Sequence, residues 1–114
     1  MTLTPFHFAI PVDDLASARS FYGALLGCSE GRRADHWVDF DLSGHQVVGH
    51  MTGRGGDAGS NAVDRDDVPI PHFGVVLTMP AWRDLAGRLE QAGIEFIIEP
   101  HVRFQGQAGE QAIM

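Results

Sequence analysis

Residues 5–28 read PFHFAIPVDDLASARSFYGALLGC, and residues 71–100 read PHFGVVLTMPAWRDLAGRLEQAGIEFIIEP. Each stretch opens on a strand that carries a histidine, passes into a helix and stops it at a glycine. In the first, the side chains of Pro5 to Val12 alternate. His7, Ala9 and Pro11 share one face, and Phe8, Ile10 and Val12 share the other. The prolines point to an edge position or irregular ends. Asp13 offers a helix N-cap and Asp14 a favourable charge in the first turn. Leu15, Ala18, Phe21, Tyr22, Leu25 and Leu26 recur at helical spacing, and Gly27 ends the run. In the second stretch, Pro71 to Leu77 is expected to form a strand. Pro80 suits a first helical turn, Trp82, Leu85, Ala86, Leu89 and Ala92 make the helical stripe, and Gly93 ends it.

The two stretches are copies of one plan. His7 and His72 lie 65 positions apart, and Gly27 and Gly93 lie 66 apart, so strand and helix keep register to within one residue. Outward from the first copy come three strand candidates, Cys28 to Arg33, His36 to Leu42 and His45 to Thr52, with Ser43-Gly44 as a hairpin turn. Gly53 to Val68 is rich in glycine and aspartate and reads as a flexible linker between two halves. After the second helix, Ile94 to Ile98 reads as a strand ended by Pro100, His101 to Gly109 as a loop, and Gln111 to Met114 as the start of another strand. The expectation is a single α+β domain over 1–114 made of two βαβββ modules. The first covers about 4–52, the linker 53–68 and the second about 69–114, without its last strand.

Composition bounds the rest. The chain has 114 residues, 44% hydrophobic and 20% charged, enough for a real core without staples. Its formal net charge is -7, so it repels phosphate backbones, and nucleic acid is excluded as an expected partner. The single cysteine, Cys28, forms no Cys-based metal motif and fits a reducing cytoplasm. It follows a helix-stopping glycine and reads as a packing residue. No apolar run approaches the ~20 residues that span a bilayer, and no signal peptide is visible, so no membrane partner is expected.

A metal site needs several ligands converging on one point, and neutral imidazole serves zinc, iron, nickel and copper. A lone strand histidine is ordinarily a hydrogen-bonded structural residue. Two at matched repeat positions, each beside a small residue (Ala9 or Gly74), point instead to metal ligation. Further along the first module, Gln46, Val48 and His50 share one strand face, so that strand could present His50, or Gln46 in its place. His36, beside Asp35, reads as an exposed turn residue. His101 follows Pro100 in a loop with Arg103; the pair could meet an anionic substrate, while a solvated loop is the simpler reading. Gly53-Arg54-Gly55-Gly56 lacks the ending of a phosphate loop, and no Gly-x-Ser-x-Gly elbow is present.

The chain resembles the vicinal oxygen chelate superfamily, the glyoxalase, bleomycin-resistance and extradiol dioxygenase group. The resemblance rests on the two stretches quoted above, with their strand histidines, Ala-Arg-x-Phe-Tyr, and the Leu-Gly and Ala-Gly helix ends. It implies paired βαβββ modules with mixed sheets curled around a cleft that holds a divalent ion: iron, manganese, nickel or zinc. By that resemblance His7 and His72 are first-strand ligands, and the first module's last-strand ligand falls within His45 to His50, with His50 favoured. Gln46, His101 and Arg103 remain candidates for substrate contact, and no residue is assigned as catalytic. The family's usual glutamate on the second module's last strand has no counterpart before Met114, since Glu110 lies one strand too early. The expected function is metal-dependent chemistry on a small oxygen-bearing substrate. The alternative is sequestration of an antibiotic or small aromatic molecule. A homodimer is expected by analogy.

Overall fold

A strand is placed by the neighbours that complete its backbone hydrogen bonds, and in the first half of the chain those neighbours are all present. The structure is a computed structural model that describes residues 3–52 and 59–114. The chain divides into two compact units, Met1–Gly56 and Asp57–Met114.

The first unit holds β1 (His7–Val12), a short α1 (Leu15–Ala18) continued by a π-helical stretch (Arg19–Leu25), β2 (Ser29–Ala34), β3 (Trp37–Leu42) and β4 (His45–Met51). The four strands form one mixed, curled sheet in the order β1-β4-β3-β2. β1 runs parallel to β4, and the other pairs are antiparallel. This is the expected βαβββ module, with the proline-bearing β1 on an edge. The helix cap falls one residue later than expected. Asp14, not Asp13, accepts from Ser17 N–H at 2.6 Å and from Ser17 Oγ at 2.8 Å. Gly27, at φ +77°, ends the helix where expected, in a conformation open to glycine.

The turn between β3 and β4 sets which side chains share a face. Ser43 and Gly44 both have positive φ, 53° and 86°, as a two-residue hairpin requires. Leu42 is then opposite His45, Asp41 opposite Gln46 and Asp39 opposite Val48. Val38 and Phe40 point to the other side, where they are 0% and 1% exposed and pack with Ala18, Val12, Leu15, Tyr22 and Cys28. The Tyr22 and Phe40 rings lie 5.3 Å apart. Helix and sheet therefore bury one face, and the opposite face of the sheet carries the polar side chains.

The second unit departs further from expectation. Residues 53–58 of the expected linker lie outside the described residues. The remainder is not a loop: β5 (Gly59–Val63) and β6 (Asp66–Ile70) pair antiparallel across a turn in which Asp64 and Arg65 have φ of 44° and 76°. Pro71 to Leu77 joins no β-ladder, and neither does Ile94 to Ile98. In the first module the opening strand pairs only with the fourth strand, and among the described residues the second module has no strand equivalent to that fourth one. Extended-chain propensity alone does not make a strand without a partner. α2 (Met79–Gln91) forms as expected, capped by Thr78 and ended at Gly93 (φ +73°), with Ile94 N–H donating to the Leu89 carbonyl at 3.1 Å. β7 (His101–Arg103) and β8 (Gln111–Ile113) pair antiparallel, so the expected loop at His101 begins as a strand.

Candidate functional site

On the polar face of the first sheet, β1 and β4 set His7 directly beside Gln46. His7 Nδ1 and Gln46 Oε1 are 2.6 Å apart, and Gln46 Nε2 donates to Asp39 Oδ2 at 3.1 Å. Asp39 is 6% exposed, and its Oδ2 lies 3.6 Å from Nε of the well-exposed Arg32. A continuous polar row thus runs Arg32, Asp39, Gln46, His7 across β2, β3, β4 and β1. A carbonyl oxygen only accepts, so in the neutral ring the His7 proton sits on Nδ1 and the lone pair on Nε2. His7 itself is exposed.

Beside this row a cavity of about 280 Å³ is lined by Glu30, Asp39, Asp41, His45 and Gln46 together with Pro5, Ser29, Gly31, Phe40 and Gly44. Each carboxylate there has a partner. Glu30 holds Arg19 Nε at 2.6 Å, and Asp41 accepts from Gly44 N–H at 2.8 Å. His45 Nδ1 accepts from Phe6 N–H at 2.8 Å, so this histidine anchors the entry to β1. Burial pushes the Cys28 thiol up from its ordinary pKa, with the charge of Asp41 acting in the same direction, which agrees with a packing role.

The second unit repeats one detail of this chemistry. His72, also exposed, turns Nδ1 to the Pro69 carbonyl at 2.7 Å. In the neutral ring its Nε2 likewise carries the lone pair. Both matched histidines thus have Nδ1 against an oxygen acceptor, an arrangement that in a neutral ring leaves Nε2 open to a ligand. Each of the two, taken by itself, has the chemistry of a single imidazole ligand to a divalent ion.

The other expected site residues are placed differently. His50 shares the face of His7 but pairs with Pro11 and Trp37, four residues along β4 from Gln46. That is about 13 Å at the strand rise. Gln46 is the β4 side chain that meets His7. His101 and Arg103 both already engage an acid. His101 Nε2 and the Arg103 guanidinium both engage Asp66 Oδ2, at 3.0 Å and 3.1 Å, and His101 Nδ1 donates to the Glu99 carbonyl at 2.6 Å. Among the described residues no three His, Cys, Asp or Glu side chains converge as a metal cluster. Asp39 was missed by the sequence reading. Its signal was the two-residue turn, which places Asp39, Asp41, Gln46 and His50 on one face by parity alone.

Comparison with known proteins agrees with this architecture. The family model described as Glyoxalase/Bleomycin resistance protein/Dioxygenase superfamily matches residues 4–110. Among solved structures, a glyoxalase/bleomycin resistance protein/dioxygenase from Alicyclobacillus acidocaldarius is 33% identical, with a TM-score of 0.74, over 94% of this chain and 76% of that one. An integron cassette protein from V. cholerae (17% identity, TM-score 0.59, 98% of this chain and 84% of that one) shares the fold. So does a virulence protein from Salmonella typhimurium (19%, 0.56, 98% and 86%). No curated protein matches. The chain belongs to the Glyoxalase/Bleomycin resistance protein/Dioxygenase superfamily.

Proposed function

We propose that this protein is a metal-dependent enzyme acting on a small oxygen-bearing substrate, with His7 and His72 as ligands to a divalent ion. The observation that carries this reading is the matched pair of histidines, each with Nδ1 turned to an oxygen acceptor. The ion, which could be iron, manganese, nickel or zinc, would supply Lewis-acid polarisation of a substrate oxygen. The chain's own residues do the rest. Gln46 orients the His7 ring, Asp39 and Arg32 hold Gln46, and the adjoining cavity gives the substrate a place beside β4.

The test is elemental analysis of untagged protein beside the double variant His7→Ala, His72→Ala. Near-stoichiometric divalent metal in the parent, lost in the variant, is expected. Equal low metal in both, after incubation with each of the four ions, would sink the reading.

A second reading, ligand sequestration without chemistry, is favoured by the cavity, which sets polar side chains beside Pro5 and Phe40. Tight binding of a drug or small aromatic molecule that survives chelation would decide for it. We further propose a cytoplasmic homodimer, by family analogy and from the single cysteine. A monomer by light scattering at micromolar concentration would contradict the dimer.

A further inference from the structure

Gln46 carries a donor and an acceptor on one amide, and the direction of that amide decides what His7 meets. Asp39 settles the direction. Its buried carboxylate offers only lone pairs to Gln46, with the Arg32 guanidinium on the same oxygen. Turning the amide over would set Oε1 against Oδ2 with no proton between them, and would set an N–H against His7 Nδ1. An unsatisfied buried acceptor makes that arrangement unfavourable.

We infer that Asp39 is a positioning residue: through Gln46 it fixes His7 as the Nδ1–H tautomer and so presents the Nε2 lone pair. This deepens the reading of His7 as a ligand and rests on it for its functional meaning. Gly31 makes room for the device. A Cβ there would stand 3.3 Å from Asp39 Cβ and 3.8 Å from Oδ2, so the irregularity in β2 leaves the carboxylate its place. The second module reaches the same tautomer by another route. The Pro69 carbonyl belongs to the backbone and cannot turn over, whereas Gln46 can. His7 is thus the histidine whose state depends on a third residue, and His72 is its internal control.

The experiment is a long-range proton–nitrogen correlation spectrum of the metal-free, nitrogen-15-labelled chain at about pH 8, where an ordinary imidazole is neutral. His7 and His72 are both expected as Nδ1–H. In Asp39→Leu, His7 moves toward the Nε2–H form of an unconstrained side chain while His72 stays. Titration with Ni²⁺ then shows affinity falling about 10–100-fold, the usual effect of losing an outer hydrogen bond to a ligand. A folded Asp39→Leu variant with His7 still wholly Nδ1–H overturns the inference. If leucine prevents folding, Asp39→Asn is read the same way, because its amide can donate as well as accept: both tautomers support the inference, and Nδ1–H alone overturns it. Failure of the parent chain to bind any divalent ion removes the metal reading, and the spectra still judge the role of Asp39.

Discussion

Asp66 and Arg103 are joined across the second unit by an ion pair of 3.1 Å, with side chains only 18% and 12% exposed. The same carboxylate oxygen meets His101 at 3.0 Å, so one acid on β6 ties down two residues of β7. Arg103 Nε is also buried without a hydrogen-bond partner among the described residues, which makes this guanidinium depend on Asp66. Removing one member of such a pair leaves an uncompensated charge. Asp66→Asn is expected to cost on the order of 3 kcal/mol, measured by urea denaturation. A loss below about 0.5 kcal/mol would mean that the pair behaves as a solvated surface contact.

Gly49 lies against Val12 where β1 and β4 run parallel. A Cβ at this position would meet Val12 Cγ1 at 3.3 Å and Cγ2 at 3.6 Å, with Phe40 Cε2 at 3.9 Å. Gly49→Ala should therefore destabilise by about 1–3 kcal/mol through overpacking. Combining it with Val12→Ala should cost less than the two single changes added together. Additive losses would show that the strain lies elsewhere.

Asp14 gives the stability an acid limb. Its pKa is lowered by the hydrogen bond from the Ser17 backbone N–H first and from the Ser17 hydroxyl second. A carboxyl whose pKa is depressed on folding stabilises the fold above its unfolded value of 3.8, and that stabilisation is lost as pH falls through the lower folded value. Asparagine caps helices about as well but does not titrate. Asp14→Asn should thus match the parent at neutral pH and lose less stability as pH falls below about 4. Parallel pH profiles would contradict this.

Cys28 should react slowly. Its thiol pKa is raised, chiefly by burial, so at pH 8 it holds less thiolate than free cysteine. Labelling by a disulfide reagent should be slower than for glutathione and should speed up in denaturant. Labelling of the folded chain at the glutathione rate would rule out shielding of this half-buried thiol by the fold.

The sequence and the structure agree most closely where local signals and tertiary partners coincide. In the first module the period of two, the helix stripe, Gly27 and the Ser43-Gly44 turn all point one way, and the four-stranded sheet follows. In the second module Pro71 to Leu77 and Ile94 to Ile98 have strand composition, but a ladder needs a neighbouring strand that local composition does not supply. The β5–β6 hairpin escaped notice because Gly59 to Val63 and Asp66 to Ile70 carry few of the large side chains that mark a strand. Among site residues, repeat spacing singled out His7 and His72. Gln46 was weighed against His50, and only the parallel register of β1 on β4 separates them. Asp39 lay between two core residues, Val38 and Phe40, and its role is visible only once the strands are paired.

The Ser43-Gly44 connection makes loop length a chemical variable. This exposed tip has little to pack against, and tips of that kind ordinarily tolerate insertion and deletion. Here the count of residues decides whether Gln46 or Val47 stands beside His7. Adding one residue that shifts β4 by one position would turn valine toward the polar face and glutamine into the packed interior. Natural variants of this chain should therefore vary the identity of residues 43 and 44 within glycine-tolerant limits while holding their number constant, and an engineered tag or epitope at this hairpin should abolish the His7 environment without touching any residue in it.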